Sequence, residues 1–523
     1  MTRDYDNQQT LQQKIIKGAN ILADNVASTL GPRGRNVLLQ EKGKMPFITK
    51  DGVTVAAFVE LEDPFENAAA QIIRQAATET NNNAGDGTTT ATVLARAILN
   101  ESQKYIISGV SPIELQRGVD LACKGVTEAL QGFSRPVKKI EDIEHVATIS
   151  ANNDASIGKL IAMAVDRIGQ DGSITIEESR SLDTSLDVTE GLRFDSGWAA
   201  SAFITDDRRS VMHHDDPMFF VTDHKITTVD QILPILEMIA REGRPLIIVA
   251  EDIDGQALAA IIMNAIRGTM KIAAIKAPFY GEERRNILDD IAVSTGATFI
   301  TRESGKKLKD VTMKDFGAAK FVESTKYTTT VVGGKADYEE VEKRIESLKS
   351  LIADTESIVE CKRIQERIVR LSSGVAVIRV GGSTEVEMTE RKHRIEDALE
   401  AVRSAQEEGV ISGGGTALLY ASRELNIDAP NHEQQLGVSI VKEACKAPFK
   451  QMASNAGKSP DVLINEILQK EVGWGWDFRE DRLTNLLEEG IIDPVKVTRT
   501  ALQNAASCAG TLITTNFGII QTG

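Results

Sequence analysis

Aromatic side chains are scarce in this chain of 523 residues, with 15 Phe, 6 Tyr and 3 Trp making up only 5% of it. Hydrophobic residues reach 41% and charged ones 26%, which is the composition of a soluble globular protein rich in aliphatic helix. An excess of basic charge is also missing. The formal charge of −16 argues against nucleic acid or an anionic membrane surface as the main partner, and it keeps a large assembly soluble. Cysteine is rare as well. Cys123, Cys361, Cys445 and Cys508 stand alone with no CxxC pair, which excludes the usual zinc and dithiol-exchange patterns and predicts reduced, structural thiols. No apolar run approaches membrane-spanning length, and the start "MTRDYDNQQT" has no apolar signal core, so the expected location is the cytoplasm. No short repeat, low-complexity tract, Ser-His-Asp or Cys-His arrangement stands out. A conventional phosphate loop is lacking too: "AGKSP" holds Gly457, Lys458 and Ser459, but Met452 sits where the first glycine of GxxxxGK[ST] belongs.

The length suggests about three domains. Residues 1 to about 132 and those from about 408 onward read mostly as helix, as in "ILADNVASTL" and "FENAAAQIIRQAATET". Between them the pattern alternates: "PLIIVAED" as strand, "GQALAAIIMNAI" as helix, "KIAAIKAP" as strand, "RRNILDDIAVSTG" as helix and "ATFI" as strand. This predicts an α/β unit with a parallel component nested inside helical flanks. Further on, Val341, Ile345, Leu348 and Ile352 form one apolar stripe and Ile364, Ile368 and Leu371 another, as two charged helices of an antiparallel hairpin. The strand "VAVIRVGG" and a long charged helix lead back to the helical end.

Three glycine loops carry the candidate chemistry. In "NNNAGDGTTTATVLARAIL", Gly85 and Gly87 allow backbone angles that aim N–H groups into one concavity at a helix start, which binds anions. Asp86 is then a hard-oxygen ligand for Mg²⁺, and Thr88, Thr89 and Thr90 donate to phosphate oxygens. The same residues also read as a Gly-Asp-Gly turn with a threonine N-cap. "STLGPRGRN" supplies Gly31 and Gly34 after a helix, and "VISGGGTALL" supplies Gly413, Gly414 and Gly415 before one. "ITKDGVTVA" places Asp51 and Gly52 at a turn before a strand-like run. The "HHDD" run, His213 to Asp216, does not read as a metal site, because neighbours on a strand point to opposite faces.

Taken together, "TLGPRGRNV", "TKDGVTVA", "LEDPFENAAAQ", "AGDGTTTATVLA", "TISANND", "VEMTERKHRIEDAL", "EEGVISGGGTAL" and "IIDPVKVTRTALQNAAS" resemble a group I chaperonin of the bacterial GroEL type, from about residue 10 to the last turn. The resemblance implies a multidomain α/β fold. A mostly helical equatorial ATP-binding domain takes residues 1–132 and 408–523, a small intermediate hinge domain 133–189 and 375–407, and an apical α/β domain 190–374. It further implies a homo-oligomeric ring of seven subunits, commonly stacked as a double ring, that uses ATP and Mg²⁺, with K⁺ as a further ion, to bind, enclose and release non-native polypeptides. A co-chaperonin lid of the ten-kilodalton type is the implied partner.

Carried over by position, Thr29, Leu30, Gly31, Pro32 and Lys50 line the phosphates, Asp86 holds Mg²⁺, and Gly87, Thr88, Thr89 and Thr90 cradle the phosphates. Gly414 and Asp493 flank the ribose. Asp397 matches the water-activating acid of the hinge helix, and Asp51 a second acid near the γ-phosphate. Trp198, Phe203, Leu233, Leu236, Leu258, Ile262 and Met263 match the groove that faces substrate, although the leucine and isoleucine pairs read by themselves as ordinary helix core.

The chain also departs from that family. Asp477, Phe478 and Arg479 replace a small Asn-Ala-Ala surface at the adenine side, where the ring either stacks on the base or fills the pocket. Ala202 and Ala199 replace a tyrosine and a leucine of the apical groove, Ser373 with Gly374 replaces paired hinge glycines, and Lys450 with Ser459 replaces an arginine and an acid that pair across rings. The family's Gly-Gly-Met tail does not follow "NFGIIQTG", which implies an altered cavity floor. These departures keep a binding scaffold with a weakened nucleotide cycle as an alternative to the folding ATPase. A metabolic ATP-using enzyme is disfavoured by the lack of a separate catalytic constellation.

Overall fold

The computed structural model describes residues 2–522 apart from 42, 44, 45, 169–172, 180, 208, 337, 356 and 373. The chain forms two compact units, Met1–Met163 with Gly382–Gly523, and Ala164–Gly381.

The first unit is helical, as its aliphatic, alanine-rich stretches require. The helices Gln8–Ala27, Pro64–Ala84, Thr88–Ile107, Pro112–Gly132, His432–Ala444 and Val495–Ile513 bury one core containing Leu22, Ile73, Leu94, Ile98, Leu99, Leu115 and Leu502. Small residues let these helices approach closely. Ala91 and Ala95 face the same core as Ala501, Ala505 and Ala509, and a Cβ placed on Gly18 would lie 2.1 Å from the Glu66 carbonyl oxygen. Asp63 starts one helix by accepting from the Phe65 and Glu66 N–H groups at 2.8 and 3.2 Å, with Pro64 in the first turn where no N–H is missed. The strand Thr2–Asn7 pairs antiparallel with Phe517–Thr522, so the two ends of the described chain close on each other.

One local expectation fails here. The run after Asp51 is the helix Gly52–Phe58 and not a strand. The Asp51 carboxylate accepts from the Val53 and Thr54 N–H groups, both at 3.1 Å, and this N-cap outweighs the strand preference of the β-branched residues behind it.

The second unit is built on a nine-stranded sheet among the described residues. Met218–Ile226, Leu246–Ile253 and Ile272–Lys276 run parallel, with Gly255–Ile266 as a crossover helix between the last two, and the helix Gly281–Thr295 follows. The remainder of the sheet is mixed: Gly374–Val380 is parallel to Ser173–Glu178 and antiparallel to Ser185–Phe194. Ser373 lies outside the described residues, and Gly374 opens its strand. "ATFI" makes only a single parallel bridge, Ile300 to Thr222. The backbone there bonds to scattered partners in place of a ladder: the Ala297 N–H donates to the Ala292 carbonyl at 2.9 Å, the Thr298 N–H to the Asp315 carbonyl at 3.0 Å and the Ile300 N–H to the Val221 carbonyl at 3.1 Å, while the Thr222 hydroxyl joins the Asp223 N–H on the Ile300 carbonyl.

The charged hairpin forms as expected, from Tyr338–Asp354 and Ile358–Ser372. Its anchor is Asp290, which is 1% exposed and accepts from Arg344 Nε at 3.0 Å and from Arg367 Nε and Nη2 at 2.7 and 2.8 Å, one arginine from each arm. Removing this buried carboxylate strips Arg367 of its partner and leaves Arg344 with Asp289 alone, so Asp290→Ala is expected to destabilise this unit by about 3 kcal/mol. Denaturant unfolding checks this, and a midpoint equal to that of the parent contradicts the anchor role.

Candidate functional site

The loops that carry glycine in the first unit converge on one cavity of about 520 Å³. Its floor is the turn between Pro64–Ala84 and Thr88–Ile107. Gly85 and Gly87 take φ of 73° and 84°, and a Cβ at either would strike Glu400 Cβ at 2.0 Å or Val497 Cγ1 at 2.7 Å, so the turn requires glycine both for its conformation and for space. The N-cap position is Gly87, which offers no side chain. The first-turn N–H groups of Thr88, Thr89 and Thr90 therefore keep the unmet donor capacity of a helix start.

Around this floor stand Asp51, Asp86, Asp397 and Asp493. Asp86 Oδ1 accepts from the Gly87 N–H at 2.5 Å and Oδ2 from the Ser150 hydroxyl at 2.8 Å. Asp51 is held as the cap of its helix, with the Thr54 hydroxyl adding a bond of 2.5 Å. Asp493 comes from the short antiparallel pair Val410–Ser412 and Ile492–Pro494, beside the glycine loop at Gly413. Asp397 projects from the helix Glu385–Glu408 and lines the same space. Lys50 supplies the opposing charge, its Nζ donating to the Gly31 carbonyl at 3.0 Å, and burial pulls its pKa down. Thr29 and Thr89 approach hydroxyl to hydroxyl at 3.4 Å.

Burial, aided by the charge of Asp86, pushes the Asp493 carboxyl up to about 7. Asp86 is raised by burial above all, opposed by its bonds from Gly87 and Ser150 and assisted by the charge of Asp51. Carboxyls raised in this way fit a site that receives a cation. Between about pH 4 and 7 the ligand-free protein therefore keeps on Asp493 a proton that the unfolded chain, with a carboxyl near 3.9, has lost. Stability from Asp493 therefore grows as pH falls from 7 toward 4 and declines as pH rises through 7. Asp493→Asn should flatten that slope in a series of melting temperatures against pH, and equal slopes in the two proteins count against it.

All the residues expected on the nucleotide side line this one cavity: Thr29, Leu30, Gly31, Pro32, Lys50, Asp51, Asp86, Gly87, Thr88, Thr89, Thr90, Asp397, Gly414, Asp477, Phe478, Arg479 and Asp493. Phe478 and Asp477 are engaged within the protein as well. Phe478 is 5% exposed and packs on Phe449 with ring centroids 5.3 Å apart, so most of its ring belongs to the core. The Asp477 carboxylate accepts from the N–H groups of Arg479 at 2.8 Å and Glu480 at 3.1 Å, closing the turn after the strand Trp474–Asp477.

Sequence reasoning missed Ser150, His145, Asn152, Asn153, Arg394 and Met452, which also line the cavity. The signal lay in "TISANND", where Asn152 and Asn153 take φ of 57° and 64° in a turn that asparagine tolerates. Arg394 is one turn before Asp397 and ties its helix to Asp154 at 3.2 Å.

In the second unit the expected substrate-facing residues divide. Leu233 and Met263 are 44% and 46% exposed, while Trp198, Leu258 and Ile262 are half-buried. Phe203 and Leu236 are core residues and not surface ones, at 2% and 7% exposed. Leu236 lies on the buried stripe of Ile232, Ile235 and Ile239, which the helical period makes its natural place. Of the "HHDD" run, His213, His214 and Asp215 lie in the strand Met212–Asp215 and Asp216 follows it: His213 Nε2 meets Asp215 Oδ1 at 3.2 Å, and burial pulls His214 down to about 4. Among the described residues no group of three or more His, Cys, Asp or Glu could hold a metal ion.

Comparison with known proteins agrees with this architecture. Two crystal forms of the chaperonin gp146 from the bacteriophage EL 2 (Pseudomonas aeruginosa), both in the presence of ATP-BeFx, share the fold with TM-scores of 0.68 and 0.63 at 20% and 21% identity, over 99% of each chain. The profile of the TCP-1/cpn60 chaperonin family matches residues 22–522. With nearly the whole sequence inside that match, and the chaperonin fold beneath it, the chain belongs to the TCP-1/cpn60 chaperonin family.

Proposed function

We propose that this chain is an ATP-dependent chaperonin of group I, resembling the bacterial GroEL type, which forms a homo-oligomeric ring and acts on non-native polypeptides. The observation that carries the reading is the convergence of the Gly85–Thr90 turn, Lys50, Gly414 and Asp397 on one cavity in a chain of this family. Crystallisation of the gp146 chaperonin in the presence of ATP-BeFx supports the same chemistry. The cavity fits a nucleotide with Mg²⁺: the helix start presents donors to phosphates, and Asp86 with phosphate oxygens suits a cation that keeps few protein ligands. K⁺ is a further ion in this proposal.

Bound ATP with Mg²⁺ supplies a terminal phosphoryl group for transfer to water. The protein's share is positional. Ser150 orients the Asp86 carboxylate, the Gly87–Thr90 backbone holds the anion, and Lys50 balances charge over Gly31. Asp397 receives the proton of the attacking water at its carboxylate, and because it rides on a long helix, its approach times the reaction.

Around this site we divide the chain into an equatorial part, 1–132 and 408–523, an intermediate part, 133–189 and 375–407, and an apical part, 190–374. Leu233 and Met263, with Leu258, Ile262 and Trp198 beside them, offer the apical part an apolar surface for unfolded chains. A ring of seven subunits and a ten-kilodalton lid complete the proposal. Lys450 bonds Glu443 at 2.6 Å inside its own subunit, which favours a single ring over the double one. Four free cysteines fit the reducing cytoplasm.

A second reading, a ring-forming scaffold with little turnover, is favoured by the Phe478 ring and the committed Asp477 carboxylate at the adenine side. Native mass and steady-state phosphate release on one sample decide between them. A ring-sized mass with turnover is expected, and a ring without turnover selects the scaffold.

A further inference from the structure

Next to the nucleotide cavity, in the same unit, lies a second cavity of about 290 Å³, bounded by Arg33, Arg35, Asn455, Lys458, Phe478 and Asp481. Three cationic side chains face one carboxylate there, in a chain whose net charge is −16. The carboxylate is already satisfied: Asp481 accepts from Lys458 Nζ at 2.6 Å and from Trp476 Nε1 at 3.2 Å. Arg33 spends Nε and Nη2 on the carbonyl oxygens of Phe478 and Arg479, at 3.1 and 3.0 Å. The Arg35 guanidinium engages no side chain among the described residues. Positive charge therefore remains uncompensated around a recess, which is the requirement for taking an anion.

The walls of this recess are shared with the larger cavity. Asn455 donates to the carbonyl oxygens of Ala27 and Leu30, both at 3.0 Å, fixing the 29–35 loop to the helix Ala447–Asn455. The Lys458 N–H closes that helix on Ala453 at 2.9 Å. Asp481 takes φ of 57°, which turns the segment between Trp474–Asp477 and Arg482–Asn485 so that its carboxylate faces Lys458. Thr29, Leu30, Gly31 and Pro32 from the loop, and Phe478 and Arg479 from the turn, line the nucleotide cavity on the other side.

We propose that this second cavity is an anion site for a small phosphate-class ligand, of the size of pyrophosphate, and that its occupant ties the 29–35 loop to the 478–481 turn and so stiffens one wall of the nucleotide cavity. The site stands on its own lining, and only the coupling rests on the proposed nucleotide function. An ordered wall lowers the ordering cost of the second ligand, so the two ligands bind with positive cooperativity.

The test titrates inorganic pyrophosphate into the assembled, full-length protein by calorimetry, without Mg²⁺ and at low salt, where exposed charges are least screened. Saturable binding is expected with ADP already present, and Arg35→Ala combined with Lys458→Ala should weaken it at least about tenfold, two lost charge-assisted contacts being sufficient for that. Separately, ADP affinity should rise about fivefold in saturating pyrophosphate. Pyrophosphate that merely enters the nucleotide cavity gives the opposite sign, competing with ADP and ignoring the double variant, and that result overturns the site. No saturable binding in the parent overturns it too. Binding that the double variant loses, with ADP affinity unmoved, keeps the site and overturns the coupling. Failure of ADP itself to bind, with pyrophosphate binding lost in the double variant, would leave the anion site standing and sink the nucleotide reading instead.

Discussion

Asp397→Ala should bind ATP within about twofold of the parent yet release phosphate at least about a hundredfold more slowly, since a positioned general base contributes roughly that factor or more. The residue lines the cavity from the helix Glu385–Glu408, and the donors that would hold phosphates come from other segments, chiefly the Gly85–Thr90 turn and Lys50. Binding and turnover are therefore separable by this one substitution. Equilibrium binding of a fluorescent nucleotide, paired with steady-state phosphate release, measures both. Phosphate release equal to that of the parent rules out the assignment, and lost binding with a normal fold moves Asp397 to a ligand-holding role.

Gly118→Val carries the largest expected effect on folding. A Cβ at Gly118 would lie 2.0 Å from the Gln434 carbonyl oxygen, and one at Gly437 would lie 2.4 Å from the Leu115 carbonyl oxygen and 2.8 Å from Gly118 Cα. The helices Pro112–Gly132 and His432–Ala444 thus touch backbone to backbone at paired glycines, one from each flank of the chain. Neither backbone can yield without disturbing Leu115, Val119 and Val441 in the core beneath. Overpacking at such a point should cost about 3 kcal/mol or more. Gly132→Ala, where an added Cβ meets nothing within 4 Å, serves as the control and should stay within about 0.5 kcal/mol. Denaturant unfolding of both proteins is the measurement, and equal midpoints would show that the crossing can open without penalty.

Much of the secondary structure was legible because it is written in local periodicity. The stripes at Val341, Ile345, Leu348 and Ile352 and at Ile364, Ile368 and Leu371 form the two helices expected of them. The alternation from Leu246 to Thr295 likewise yields two parallel strands with helices after each. Local reading failed at two places. Asp51, by capping, converts a strand-like run into a helix, and "ATFI" divides its backbone bonds among separate segments and keeps one bridge. Neither effect has a period, so neither is visible to a pattern.

The site shows the same division. Glycine loops before helices, an acid between two glycines and the absence of a phosphate loop were all present in the order of residues, and family resemblance joined them. That Phe478 turns mostly into the core against Phe449, that Leu236 and Phe203 are buried, and that Ser150 reaches Asp86 across a sequence separation of 64 depended on packing alone. By itself the order of residues determined the helical flanks, the nested α/β insert and the glycine turns, because backbone preference and apolar spacing act over a few neighbours. Only the tertiary structure decided which carboxylates face one another and which cations share a recess, because burial and charge act through space between segments hundreds of residues apart in the chain.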